Sequence, residues 1–122
     1  MVVYEYSRWY DKEDVFRELE KFSLYQKEHP YQYETRITID YCENGDVCGE
    51  NLYPLLEKMK KGDRLIVTSI GRICKNRKVL SKVLEKIWMS GIRLTVVDIP
   101  STHNGNSIEN YANLAATAES LK

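Results

Sequence analysis

The chain of 122 residues has no excess charge of either sign: 18 Lys and Arg face 18 Asp and Glu, for a net of +0. Bulk electrostatics therefore do not draw it to nucleic acid, and any anion must be held by a local patch. Cysteine is scarce. Cys42, Cys48 and Cys74 are odd in number and stand at no zinc-like spacing, which fits a reduced, cytoplasmic setting. With neither C-x-x-C nor a His pair, a metal held by Cys42, Cys48 and His103 is not favoured, and no cofactor is expected. Cys74 reads as a small packed residue rather than a nucleophile. "GDVCGEN" is too poor in glycine for a nucleotide loop, and no G-K-[ST] occurs. Ser101 and His103 lack a third partner at recognisable spacing, so a serine-hydrolase reading is poor. No apolar run approaches a membrane span, and residues 1–6 are too short for a signal peptide before Arg8. Internal repeats, low-complexity tracts and interdomain linkers are missing too.

What is present suits a single folded domain over 1–122: 43% of residues are hydrophobic, enough for a sizeable core in a chain of this length. Residues 2–6 form a short apolar run of strand type. Asp11 can cap a helix with Asp14 three positions on, and Val15, Leu19, Phe22 and Gln26 follow a helical stripe that His29-Pro30 ends. "TRITID" (35–40) is β-branched and reads as a second strand. Residues 41–51 are a loop by composition. Leu52, Leu55, Leu56 and Met59 then sit at helical spacing, with Gly62 closing the helix. "RLIVTSI" (64–70) is nearly continuous in apolar residues, as in a strand covered on both faces. Asn76 can cap a helix buried through Val79, Leu80, Val83, Leu84 and Ile87 and closed by Gly91. "IRLTVVD" (92–98) is another such strand, 99–106 a loop, and 107–122 a last helix. The order β-α-β-α-β-α-β-α predicts a three-layer α/β/α domain on a mostly parallel sheet.

In open α/β sheets ligands bind beyond the C-terminal ends of the strands. Those ends offer Ser7, Arg8 and Tyr10; Asp40; Ser69, Gly71, Arg72 and Lys75; and Asp98. Strand pleating puts Tyr6, Arg8 and Tyr10 on one face and Ser7 on the other, so Arg8 pairs more naturally with Tyr10 than with Ser7. "GRICKNRK" (71–78) places Arg72, Lys75, Arg77 and Lys78 within eight positions at a helix start. Together with Arg8 they form a candidate phosphate or DNA-backbone site, because guanidinium groups pair with phosphate oxygens. For Arg77, Lys78 and Lys82 a solvated helix face is the simpler explanation of the charge.

These residues resemble the N-terminal catalytic domain of the serine site-specific recombinases, the resolvase/invertase family. The family opens with Y-x-R-x-S, and this chain has "YSRWY" (6–10). The family's central signature runs from G-D through an apolar stretch to D-R-L-x-R, and this chain has "GDRLIVTSIGRICK" (62–75). "IRLTVVD", "STHNG" and "ATAES" follow in family order. The resemblance implies a resolvase-like fold and site-specific DNA recombination through a phosphoserine link, carried out by an oligomer on mobile-element DNA. Arg8, Arg72 and Asp40 fall on family active-site positions. Tyr10 falls where the family has its nucleophilic serine, Gly71 on the aspartate of D-R-L, Lys75 on the following arginine, Gly49 near another arginine, and Ser120 on a late arginine. Lysine lacks the planar fork of arginine. A tyrosine phenol sits further from the backbone than a serine hydroxyl and ionises only near pH ~10, so it is poorly placed to substitute.

The expectation is thus a recombinase-type domain with a degenerate active site. The catalytic candidates are Arg8, Tyr10, Asp40, Arg72 and Lys75, and the phosphate contacts are Arg8, Arg72, Lys75, Arg77 and Lys78. Self-association through the alanine-striped helix 107–122 is expected. DNA binding should be weak without the family's helix-turn-helix domain, which this chain does not contain. Two alternatives compete: an active strand-cleaving domain with Tyr10 or Ser7 as shifted nucleophile, and a phosphate- or nucleotide-binding protein sharing only the fold.

Overall fold

The computed structural model describes residues 2–30, 34–41, 51–73 and 77–99. Within them the chain alternates strand and helix. The strands are β1 (Val3–Trp9), β2 (Thr35–Tyr41), β3 (Arg64–Val67) and β4 (Arg93–Val96), and the helices are α1 (Lys12–Glu28), α2 (Leu52–Lys58) and α3 (Arg77–Met89). A 3-10 turn over Ile70–Arg72 follows β3. The strands form one sheet in the order β2-β1-β3-β4, and every pairing is parallel. The α/β architecture expected from the alternation is what the chain adopts. The cap at Asn76, the loop 42–50 and the helix over 107–122 lie outside the described residues.

The chain leaves β1 toward β2 on one side and returns past it to β3 on the other. Right-handed crossovers in opposite directions put their helices on opposite faces. Accordingly α1 packs Phe22 and Tyr25 on Val3 and Ile66. The other face is larger: Leu52, Leu55 and Leu56 of α2 and Leu80, Val83, Leu84 and Ile87 of α3 cover Tyr4, Tyr6, Leu65, Val67, Leu94 and Val96. The stripe read for α3 is its buried face, with Val79 at the margin.

Several local expectations need correction. β1 continues to Trp9 because Ser7 and Arg8, though polar, are fully buried and keep pairing with β2. β3 stops at Val67, and Ile70 belongs to the turn after it. α2 ends at Lys58, with Met59 already extended, so Gly62 serves the next turn at φ 91 rather than closing the helix. Gly91 does sit beyond α3 in the left-handed region, at φ 73. In α1 the predicted stripe is rotated: Leu19 is 44% exposed, whereas Asp14, Glu18, Phe22 and Tyr25 are buried. The acidic pair turns toward the sheet because it has partners there.

The N-terminal ends of the strands are tied by Asp63. Its carboxylate accepts the amides of Val2 (3.0 Å) and Lys60 (2.9 Å), and its carbonyl accepts the amide of Arg93 (2.9 Å). The amide of Gly62 reaches the carbonyl of Gly91 at 3.0 Å, joining the turns that precede β3 and β4. Among the described residues no helix is long and apolar enough to cross a membrane.

Candidate functional site

The strand order reverses between β1 and β3, and the crevice beyond the C-terminal ends of strands at such a switch point is the usual ligand position. Two polar groups flank it, one on each face of β1.

The first lies on the α1 face. Asp11 caps α1 by accepting the Asp14 amide at 2.9 Å, while the Asp14 carboxylate takes the amides of Asp11 (3.3 Å) and Tyr10 (2.7 Å). This reciprocal box satisfies amides that a helix start leaves open. The other Asp14 oxygen accepts Arg17 Nη2 and Arg72 Nη2, each at 2.9 Å. One turn further on, Glu18 accepts Ser7 Oγ at 2.8 Å and Thr68 Oγ1 at 2.7 and 2.9 Å, and approaches Arg72 Nε at 3.8 Å. Arg72 also donates through Nη1 to the carbonyl of Arg8 at 2.7 Å, and its guanidinium lies 5.3 Å over the Tyr10 ring. The Tyr10 hydroxyl reaches the Gly71 carbonyl at the limit of hydrogen bonding, 3.5 Å.

The electrostatics follow from this arrangement. The Arg72 hydrogen bond, with help from the Tyr10 amide and Arg17, holds the Asp14 carboxyl well below the usual carboxylate range against the opposing effect of burial. Burial alone would lower the Arg72 guanidinium. The Asp14 hydrogen bond and the Glu18 and Asp14 charges outweigh it and raise the group.

The second group lies on the α2 face. Tyr6 donates from its hydroxyl to Asp40 Oδ2 at 2.6 Å, and the other Asp40 oxygen accepts the Asn51 amide, at the start of α2, at 3.0 Å. Arg8 is the register partner of Asp40 and shares this face with Tyr6 by strand alternation. Burial, then the bond to Asp40, push the Tyr6 phenol far above its ordinary value, with the Arg8 charge opposing them. Tyr6 is therefore a fixed donor.

The structure brings Tyr10, Gly71 and Arg72 together, and Arg8 beside Tyr6 and Asp40. Arg72 meets the backbone carbonyl of Arg8 through Nη1, and its Nη2 donates to Asp14 of α1. Tyr10 meets Arg72, whose guanidinium lies over its ring. Ser7 is fully buried behind Glu18. Lys78 is exposed on α3, Arg77 begins that helix, and Lys75 lies outside the described residues. Gly71 has no need to be glycine: its φ is not positive, and an added Cβ would meet nothing within 4 Å.

Sequence reasoning missed Asp14 and Glu18 as site residues. Asp14 enters the sequence reading only as the partner of the Asp11 cap, and no carboxylate partner is named there for Arg72. α1 supplies two. The signal was available: Asp14, Glu18, Phe22 and Tyr25 are spaced as one helix face.

The parallel four-stranded sheet with its helices is a fold that this chain shares with solved catalytic domains of serine recombinases. Three solved structures carry the likeness. The N-terminal catalytic domain of TP901-1 integrase superposes with a TM-score of 0.68 at 14% identity, over 98% of this chain and 95% of that one. A resolvase family site-specific recombinase from Streptococcus pneumoniae gives 0.66 at 17% identity, over 98% and 86%. The C-terminal catalytic domain of ISC1926 TnpA, an IS607-like serine recombinase, gives 0.61 at 18% identity, over 80% and 67%. No protein-family signature and no curated sequence matches the chain.

Proposed function

We propose that this chain is a serine-recombinase-type domain whose strand-cleaving chemistry is impaired, acting as a regulatory or interaction module at recombination DNA. The observation that carries the reading is the state of Arg72. Its Nη1 and Nη2 groups already donate to protein acceptors, and Tyr10 lies beneath it at the position that matches the family's serine. The open space at Gly71 supports the same reading, since nothing steric prevents the family's aspartate there. Ser7 offers no substitute nucleophile while it is buried and donating to Glu18. With Arg8 fully buried and Arg72 engaged by Asp14, DNA contact falls to Lys75, Arg77 and Lys78, and self-association to residues 107–122.

The test is covalent capture. The full chain is incubated with supercoiled plasmid and labelled duplexes bearing recombination sites, then quenched in detergent and resolved on a denaturing gel. No protein–DNA adduct is expected. An adduct that disappears in Tyr10→Phe would overturn the reading in favour of an active enzyme with a shifted nucleophile. Sedimentation of the same preparation tests self-association, and a monomer at high concentration would remove that part.

A further inference from the structure

Arg72 follows β3 at the switch point with 20% of its side chain exposed, yet it is held by Asp14 of α1. Asp14, only 3% exposed, is itself fixed by four donors: Arg17 and Arg72 on one oxygen, the Tyr10 and Asp11 amides on the other. Glu18, anchored by Ser7 and Thr68, adds a second negative charge 3.8 Å from Arg72 Nε. A guanidinium recognises carboxylate and phosphate through the same planar array of N–H donors. A carboxylate built into the adjacent helix α1 therefore competes with phosphate for Arg72 at a high effective concentration. An incoming phosphate must also approach two carboxylates in a setting drier than bulk water, where their repulsion is stronger.

We propose that Asp14, backed by Glu18, is a tethered internal ligand that keeps Arg72 from phosphate oxyanions, so that the switch-point anion site is built but closed. This deepens the reading of an impaired recombinase-type site and rests on it. Asp14 is also a helix-capping residue. Capping alone predicts a change in stability when Asp14 is replaced, and no change in anion affinity that depends on Arg72.

The experiment separates the two. Inorganic phosphate and a short fluorescein-labelled DNA duplex are titrated, at fixed ionic strength, into the full chain and its Asp14→Asn and Asp14→Gln variants. Glutamine at this position can still close the capping box while removing the charge. Both variants are expected to bind phosphate about tenfold more tightly than the unmodified chain, as removal of one contact charge implies. Adding Arg72→Ala should abolish the gain. Variants that melt as cooperatively as the parent and bind no more tightly would overturn the proposal, as would tight Arg72-dependent binding by the unmodified chain. Should the Asp14 variants fail to fold, Glu18→Gln, which keeps an acceptor for Ser7 and Thr68, must give a gain of a few-fold, and its absence is equally fatal. Covalent adducts from the unmodified chain would overturn the impaired-site reading whatever these titrations give. Unchanged titrations would overturn the tethered ligand and leave the adduct result intact.

Discussion

The two faces of the sheet are built from different materials. Under α2 and α3 the described contacts are mostly apolar, with buried Arg8, Tyr6 and Asp40 grouped at the C-terminal end of the strands. Under α1, among the described residues, Val3, Phe22, Tyr25 and Ile66 form a small apolar cluster edged by Val97, and the other buried side chains include Glu5, Ser7, Glu18, Thr68, Arg64 and Thr95. Arg64 Nη1 donates to Thr95 Oγ1 at 2.6 Å, and Gln26 Nε2 donates to Glu5 Oε2 at 2.7 Å. Hydrophobic burial is non-directional and tolerates drift, whereas a buried polar group must keep its partner. The α2/α3 face thus carries the stability, and the α1 face carries the constraint.

Substitutions can break that contrast, and their effects should descend in order. Leu80→Ala or Leu94→Ala, on the apolar face, should lose about 2–5 kcal/mol in urea denaturation through an unfilled cavity. If either costs less than the polar substitutions below, the contrast is wrong. Glu18→Ala strands the buried hydroxyls of Ser7 and Thr68 and should cost about 2–3 kcal/mol, while Glu18→Gln should cost visibly less. Asp14→Ala removes a cap partner and the Arg72 contact together, for about 2 kcal/mol.

Asp14 also carries a pH signature. Its carboxyl is held below the usual range in the folded chain, so its contribution is complete above the unfolded value of about 3.9 and fades as pH falls through that value toward the folded one. Unfolding curves taken on acidification should therefore show a shallower decline for Asp14→Asn than for the parent. Glu5 has the opposite sign. Burial raises its carboxyl despite the Gln26 bond, so the folded chain binds the proton more tightly and stability is lost as pH rises through the raised value. Glu5→Gln should raise the melting temperature at neutral pH, and the advantage should shrink on acidification. A constant advantage would mean that Glu5 is not being desolvated as its burial implies. Smallest of all, Phe16→Lys on the outer side of α1, where Phe16 is 77% exposed, should change stability by less than about 0.5 kcal/mol.

The layers were readable from the chain because alternating elements with continuous apolar strands leave few topologies open. α3 was legible to the residue, since an apolar face against an apolar sheet is what helical periodicity detects. α1 was not. Its inward face begins with Asp14 and Glu18, and a pattern that counts only apolar side chains rotates the helix toward Leu19. The end of β1 was missed for the same reason: Ser7 and Arg8 look like a loop until Glu18 and the Asp40 group are placed around them. Tyr10 and Arg72 could be named as candidates from order and spacing. That Arg72 already has a carboxylate partner depends on helix and turn meeting across 58 residues of chain.

The bonds around Asp63 join the loops at the base of the sheet without using any residue of the crevice. Strand register is consequently anchored at the end away from the Arg72 cluster. Such a division lets substitutions at Tyr10 or Gly71 leave the scaffold in frame. It also makes the chain a usable host: a designed anion or metal centre could replace the Arg72 cluster, with Asp63 left in place to hold the strands in line.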